Sequence, residues 1–464
     1  MPKLSAASVA EICGGRLIGD GTKTAGYVVA DSRAVDPGTA FVAVAGGHAF
    51  VREAHEAGAP FVIVDRRDAI AECAIASVIV DDTVRALGAL ATAVRRDMAL
   101  RVVGITGSTG KTLTKDLVAT TLAVRYRVHA APKSYNNEIG VPLVVLSCPD
   151  DINVMVVEVA ARHAGEIAEL CEIVRPQMGI VTGIGNTHLE EFGSRDAIAR
   201  TKAELLAALP AEGVAIVPSD DEYLALLSTS TGARLRTVGP GAAVSYRATA
   251  IDPDGRTHGI VSIAGRDVTV TIPIAGRALL RNVALAIAAG IEHGVDPDEA
   301  AQAIASAQLS SFRMEIVDVP PWTIVNDAYN ANPTSVASAL RSVKEMADGR
   351  PVWAILGPMA ELGPASEREH VRIGRLASDL RYDGVIALGD EGAEIARGAG
   401  PIASRVATAE EAADALNSTV PAGAIVLVKA SRVVSLERFP DILRARPDRV
   451  GRIRQTGAPG DRKA

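Results

Sequence analysis

At 464 residues, with 48% hydrophobic side chains, the chain is long enough for roughly two to four domains, each with its own core. Lys plus Arg number 48 against 55 for Asp plus Glu, a formal net charge of −7, which excludes a general electrostatic attraction to nucleic acid or to an anionic membrane. The four cysteines, Cys13, Cys73, Cys148 and Cys171, make no C-x-x-C pair and no zinc-like spacing, so they read as small buried residues in a reducing compartment. The start, Met1-Pro2-Lys3-Leu4-Ser5-Ala6, lacks the apolar core of a signal peptide, and no apolar run approaches the length of a membrane span. The expectation is a soluble cytoplasmic protein without stable membrane insertion.

In chain order, residues 1–99 alternate short strands (Ala40 to Val44, Phe61 to Val64, Ser77 to Val80) with helical stretches, an α/β pattern too short for a full doubly wound sheet. Residues 100–311 form a central part. Strands are expected over Asn153 to Val159 and Met178 to Thr182, around the helix-period run Gly165 to Val174, which predicts a mostly parallel sheet flanked by helices. Residues about 235 to 275 change to alternating Val-Ser-Ile and Val-Thr-Val-Thr-Ile with turns at Asp252-Pro253-Asp254-Gly255 and Ala264-Gly265, the pattern of antiparallel strands at one edge of that sheet. Residues 312–445 carry strands at Thr323 to Asn326, Val352 to Leu356, Gly384 to Leu388 and Ile425 to Val428, a Rossmann-like unit without a G-x-G-x-x-G loop. The last stretch, 446–464, is a basic tail rich in Arg, Gly and Pro, expected to be frayed and solvated.

The chemistry is concentrated at Val102-Val103-Gly104-Ile105-Thr106-Gly107-Ser108-Thr109-Gly110-Lys111-Thr112. Glycines let successive N–H groups curl around an anion, a helix starting near Lys111 adds its positive end, and Lys111 supplies a mobile cation. Thr112 offers a hydroxyl to the magnesium that accompanies ATP or GTP. The strict loop pattern would place a glycine at 105, where this chain has Ile105, with Gly107 inside the loop instead. A glycine turn that binds no nucleotide has no structural need for Lys-Thr at its helix start.

Glu158 ends one apolar strand and His188 follows another, so both fall at carboxyl ends of parallel strands, where ligands of open α/β sheets gather. Each is readable either as a magnesium ligand or as a satisfied polar group. Lys202, on the helical segment Arg195 to Glu204 with Ser194 as its cap, reads from pattern alone as a solvated lysine. Ser134-Tyr135-Asn136-Asn137-Glu138-Ile139-Gly140 reads as a binding loop, although a turn favours the same residues.

Together with Asp31-Ser32-Arg33, His188-Leu189-Glu190-Glu191-Phe192-Gly193-Ser194, Asp327-Ala328-Tyr329-Asn330-Ala331-Asn332-Pro333, Leu356-Gly357-Pro358-Met359-Ala360-Glu361-Leu362-Gly363 and Lys429-Ala430-Ser431-Arg432, these motifs make nearly the whole chain resemble the Mur ligase family. The Asn-Asn-Glu-Ile-Gly and Tyr-Asn-Ala-Asn-Pro segments resemble the branch that joins D-alanyl-D-alanine to UDP-N-acetylmuramoyl-tripeptide. The resemblance implies three domains: a small α/β unit for the UDP-sugar, a central ATP-binding unit and a Rossmann-like ligase unit. It implies a monomer whose domains close over ATP, a substrate carboxylate activated as an acyl phosphate, and an amine that displaces phosphate.

By resemblance, Gly107, Ser108, Thr109, Gly110, Lys111 and Thr112 bind ATP, with Asn137, Asn282, Arg313, Asp327, Tyr329 and Asn330 meeting the nucleotide. Lys111, His188 and Lys202 carry catalytic roles, and Asp31, Ser32 and Arg33 belong to the UDP-sugar pocket. Two Mg²⁺ ions are implied, one at Thr112 and Glu158 and one at His188 and Lys202, with Lys202 carbamylated by CO₂ so that a cation becomes an oxygen ligand. Several positions depart from the family's usual pattern. The first-domain loop runs directly Gly46-Gly47-His48, Val159-Ala160 stands where Met-Gly is usual, Ala278-Leu279 replaces a His-Asn pair, and Ala430 replaces a glycine. A related ligase acting on another acid and amine is the second reading, and a regulatory P-loop homologue the third.

Overall fold

The computed structural model describes residues 3–71, 73–186, 189–310 and 313–446. The basic tail from residue 447 and His188 therefore lie outside the described residues. Backbone compactness divides the chain into two units. One comprises 1–184, 196–244 and 284–303, and the other 185–195, 245–283 and 304–464.

The first unit contains a two-stranded antiparallel pair, Leu4–Ser5 with Thr24–Ala25, and two larger sheets. A five-stranded one runs in the order Arg16–Ile18, Ala76–Ile79, Phe61–Val64, Thr39–Val42, Tyr27–Val29, antiparallel only at its first pair. The short apolar runs of residues 1–99 thus make a complete small sheet, and Phe41, Val51, Ala54, Val62 and Val64 pack in one core on its face. The second sheet holds six parallel strands in the order Arg234–Val238, Val214–Pro218, Met178–Val181, Arg101–Thr106, Val154–Glu158, Val128–Ala130. Apart from the exposed Arg101 at one strand start, its central strands are buried, which is why they read as mostly apolar runs rather than as alternation.

The second unit holds a six-stranded sheet, Glu315–Val319, Trp322–Asn326, Ile425–Lys429, Val352–Leu356, Gly384–Leu388, Ala403–Val406. All neighbours are parallel except the first hairpin. It also contains the β-rich segment, where Thr257–Ile263 and Arg266–Ile272 pair antiparallel through the Ala264-Gly265 turn, as the alternation predicts, whereas Arg234–Val238 at the start of that stretch corrects the reading by pairing parallel with Val214–Pro218. Ile324, Ile355, Ile386, Leu416, Val426 and Phe439 share the core of the six-stranded sheet.

Two glycines decide how tightly this unit closes. On the helices Ser366–Asp379 and Gly392–Ala399, a Cβ at Gly374 would run into the carbonyl oxygen of Ile395, and one at Gly398 into that of Val371. Backbone therefore lies directly on backbone, with no flexible side-chain end to yield. Gly374→Ala is expected to cost about 1–3 kcal/mol, the range for overpacking, read as a lower urea midpoint at an unchanged m-value. An unchanged midpoint would mean that the helices separate freely.

Candidate active site

The phosphate loop leaves the sheet at its middle. Arg101–Thr106 lies between Met178–Val181 and Val154–Glu158, with Val181 opposite Thr106 and Glu158 opposite Ile105 in register. Three chain segments therefore emerge from the sheet at one level. The loop is tied to one neighbour by three hydrogen bonds: Thr182 N to Thr106 O at 2.9 Å, Ser108 N to Gly183 O at 2.9 Å, and Thr182 Oγ1 to Thr109 O at 2.6 Å. This contact requires a glycine at 107, whose φ is 141° and whose Cβ, if present, would meet the Thr182 hydroxyl. Gly110, at φ 80°, then caps the helix Lys111–Ala123. The observed strand, loop and helix are those expected of a phosphate cradle.

Behind the loop sits a small buried polar group. Thr112 and Glu158 are each 3% exposed. The Thr112 hydroxyl lies 2.8 Å from Glu158 Oε2 and 2.8 Å from the Ser134 hydroxyl, and Asn136 Nδ2 donates to Glu158 Oε1 at 2.6 Å. The hydrogen bonds from Thr112 and Asn136 to this buried carboxylate thus come from neutral groups, and charge unmatched in a dry site is unfavourable without a cation. Hydroxyl and carboxylate oxygens suit a hard divalent ion, so the pair fits magnesium. Among the described residues no group of three His, Cys, Asp or Glu gathers as a metal cluster, and His188 is not among them.

Asn136 and Asn137 divide their work. Asn136 holds Glu158, while the exposed Asn137 turns its side-chain oxygen to Gly140 N at 2.9 Å, at the start of the helix Gly140–Leu146. Gly140 is required there because a Cβ would stand 2.7 Å from the Tyr135 Cα. Ser134 and Asn136 are residues that motif reading left out of the site; their hydrogen-bonding side chains in the same segment were the available signal.

Lys202 corrects the solvated reading: it is 2% exposed, on the helix Arg195–Ala207. Burial, with a further contribution from the charge of Lys111, lowers its pKa to about 7. Lys111 is half-buried and folds its Nζ back to Gly107 O at 2.9 Å. Glu204 accepts from Gly165 N at 2.7 Å and Ala168 N at 3.1 Å, so its carboxylate serves the start of the helix Glu166–Val174.

In the second unit, three motifs meet on the segment 429–432. Lys429, 2% exposed, donates to Asp327 Oδ2 at 2.6 Å and to the carbonyl oxygens of Asp327 at 3.1 Å and Asn330 at 2.9 Å. The Ser431 hydroxyl accepts from Ala360 N at 2.9 Å and donates to Ala331 O at 3.3 Å. Arg313 stacks over the Tyr329 ring at 4.3 Å, and Arg432 lies over the same ring at 5.5 Å. Asn332 and Ser335 form a capping box on the helix Pro333–Met346, which accounts for the Asn-Pro of the motif. Asn282, 6% exposed, lies near the start of the helix Leu280–Glu292. Ala430 fits where the family has glycine because its Cβ faces Gly357, which has none. Lys429 and Arg432 are further polar residues of this cluster, legible from their motif though not singled out there.

In the five-stranded sheet's unit, Asp31 caps the short turn Ser32–Ala34, accepts from Arg33 N at 3.1 Å, and takes the Arg33 guanidinium at 2.9 and 2.8 Å. Those bonds hold the Asp31 carboxyl down to about 2. Ser32 is buried, and Asp31 and Arg33 face solvent. In the shortened loop, His48 Nε2 lies 2.9 Å from Asp65 Oδ1.

A phosphate loop whose threonine is bonded to a buried carboxylate, at the carboxyl edge of a parallel sheet, defines a protein that binds a nucleoside triphosphate. The family model "Mur ligase middle domain" matches residues 105–290, and "Mur ligase, glutamate ligase domain" matches 312–432. UDP-N-acetylmuramoyl-tripeptide–D-alanyl-D-alanine ligase of Bacillus subtilis (strain 168) is 34% identical over 423 residues, 89% of this chain and 92% of its own. The protein of the same name from Mycobacterium tuberculosis (strain H37Rv) is 34% identical over 510 aligned residues, 98% of this chain and 100% of its own. A crystal structure of MurF from Acinetobacter baumannii superposes with a TM-score of 0.85 at 28% identity, covering 96% of this chain and 100% of that one. MurF ligase from Thermotoga maritima in complex with ADP gives 0.78 at 27%, over 90% and 97%. The chain belongs to the Mur ligase family.

The lowered pKa of Lys202 has a thermodynamic consequence. Between about 7 and its ordinary 10.5 the unfolded chain binds a proton that the folded chain does not, so this group makes stability rise with pH across that window. Below about 7 the full cost of burying the ammonium is present. In bicarbonate-free buffer, the stability of Lys202→Met relative to the parent should be greatest near pH 6.5 and diminish by pH 9, measured by urea unfolding. A difference that does not change with pH would contradict the shift.

Proposed function

We propose that this chain joins D-alanyl-D-alanine to UDP-N-acetylmuramoyl-tripeptide at the expense of ATP, in peptidoglycan precursor synthesis. The observation that carries the reading is the similarity, over nearly the full length, to ligases of that one name in two bacteria, together with the phosphate loop Gly107 to Thr112. The ADP complex of the Thermotoga maritima relative supports ATP as the nucleotide. No described helix is long and apolar enough to cross a membrane; the proposed enzyme is a monomer that meets its small-molecule substrates in the cytoplasm.

In the proposed reaction, the terminal carboxylate of the tripeptide attacks the γ-phosphorus, the bond to the β-phosphate oxygen breaks, and ADP leaves. The amine of D-alanyl-D-alanine then adds to the acyl carbon, and the tetrahedral intermediate expels phosphate while the amine proton is lost. The loop Gly107 to Gly110 would cradle the phosphates with backbone N–H groups other than that of Ser108, which is bonded to Gly183 O, and Lys111 would exchange its bond to Gly107 O for the transferring group, where its charge is matched to the transition state. Thr112 and Glu158 would hold one magnesium, whose chemistry is to neutralise developing phosphate charge.

His188 and Lys202 belong to the second magnesium in this reading, with Lys202 as the carbamate. Its burial supports the idea, because an unmodified ammonium there repels a metal, whereas a carbamate presents oxygens. Asn137, Asn282, Arg313, Asp327, Tyr329 and Asn330 are proposed nucleotide contacts, the Arg313–Tyr329 stack offering a flat cationic surface. Asp31, Ser32 and Arg33 are proposed for the UDP-sugar.

The test supplies ATP, Mg²⁺, bicarbonate and UDP-N-acetylmuramoyl-tripeptide, with and without D-alanyl-D-alanine. ADP release that requires both substrates, with the pentapeptide product identified by mass, is the expected result. ATP binding without turnover on this pair would redirect the assignment to another acid and amine. Lys111→Ala and Glu158→Gln should each lower kcat by roughly two orders of magnitude or more, the scale of losing one electrostatic contact to a transition state. Lys202→Ala should abolish turnover, with partial recovery on adding a short-chain carboxylic acid. Unchanged activity in that variant would remove the carbamate.

A further inference from the structure

The phosphate loop uses the carboxyl ends of the six-stranded parallel sheet. The amino ends of the same strands, where Arg101–Thr106, Val154–Glu158 and Met178–Val181 begin, line a cleft of about 550 Å³ that the ligase reaction does not use. Four arginines border it: Arg95, Arg96, Arg101 and Arg175. Among the described residues, no aspartate or glutamate does.

The four are not equivalent. Arg95 is 5% exposed and committed to structure, donating to the carbonyl oxygens of Val174 at 2.8 Å, Met98 at 3.0 Å and Leu100 at 3.4 Å. Arg96, Arg101 and Arg175 are exposed, and none pairs with a carboxylate among the described residues. Helix ends explain part of this, since a cation is favoured at the C-terminus of Thr83–Arg96 and of Glu166–Val174. They do not explain Arg101 at a strand start. Arg175 also adopts φ 49°, a left-handed conformation uncommon for a side chain of its size, immediately after the helix. The remaining lining includes the Tyr126 ring, whose hydroxyl is held by His293 O at 2.7 Å, and Gln177, anchored on Val102 N at 2.7 Å and Arg175 O at 2.9 Å. The walls are fixed while the cationic ends are uncommitted.

We propose that this cleft is a second anion site, taking a compound with two or three linked phosphates, and that it is separate from the phosphate loop. Guanidinium groups recognise phosphate oxygens through paired N–H donors, and a cleft of this volume lies within the range of small-molecule sites. A single phosphate would engage fewer of the three arginines, so linked phosphates match the set better.

The probe is inorganic tripolyphosphate, titrated calorimetrically into the full chain. Because the phosphate loop also attracts this anion, the measurement is made on Lys111→Ala and on Lys111→Ala carrying Arg101→Gln and Arg175→Gln. The expected result is saturable binding to Lys111→Ala that weakens roughly tenfold or more in the triple variant and falls steeply with added salt. Orthophosphate should bind more weakly than tripolyphosphate. Both arginines are exposed, and equal urea midpoints verify that the variants are folded. In the Lys111-intact background, Arg101→Gln with Arg175→Gln should leave ligase turnover unchanged when no anion is added. Loss of all binding in Lys111→Ala, or equal affinity in the triple variant, would overturn the proposal.

Discussion

The register of three parallel strands is the constraint on which the site in the first unit depends. With Glu158 opposite Ile105 and Val181 opposite Thr106, the segments carrying the loop, the carboxylate and Thr182 leave the sheet side by side. A one-residue slip would exchange the faces presented by every side chain on the displaced strand. Glu158 would then leave Thr112, and Thr182 would no longer hold the loop at Thr109. The phosphate cradle is therefore shaped by its neighbours as much as by its own glycines. A cradle built before its ligand arrives has little reorganisation left to perform during the reaction.

The second unit reaches comparable order by another route. One buried ammonium, Lys429, joins Asp327 and Asn330, while the neighbouring Ser431 joins Ala331 and Ala360. Two short residues apart on one strand end, these side chains gather loops that are far apart in sequence. A buried charge bonded to one carboxylate and two carbonyls is satisfied, so the cluster holds its geometry without becoming an internal strain. The Ala430 departure does not disturb it, because the opposing Gly357 leaves room for the added methyl group.

Much of this was legible in the sequence, for identifiable reasons. Buried parallel strands appear as continuous apolar runs, and the loop's Lys-Thr has a chemical rather than a packing rationale. Lys202 was not legible. Its helix carries Arg195, Asp196, Arg200 and Glu204 around it, a composition typical of a solvated surface, and only tertiary packing puts this one lysine inside. Asn136 and Asn137 were indistinguishable for a related reason: adjacent identical residues point in different directions, and the direction is set by whether Glu158 or Gly140 lies nearby. The five-stranded sheet was underestimated because strands of three or four residues carry little periodicity.

The two ends of the six-stranded sheet treat charge in opposite ways. At the carboxyl end an anionic side chain, Glu158, is buried and bonded to neutral groups, while Lys111 rests on its own loop and weakens the neighbouring charge on Lys202. In the hydrogen bonds described, Glu158 and Lys111 are each held by neutral groups, and these are the charges that the proposed reaction would present to phosphate and metal. At the amino end, Arg95 is consumed by carbonyl oxygens, and among the described residues the other cationic groups of the cleft accumulate without acidic partners. Chemistry at the first end needs such an imbalance, and the same physical reasoning makes the imbalance at the second end informative.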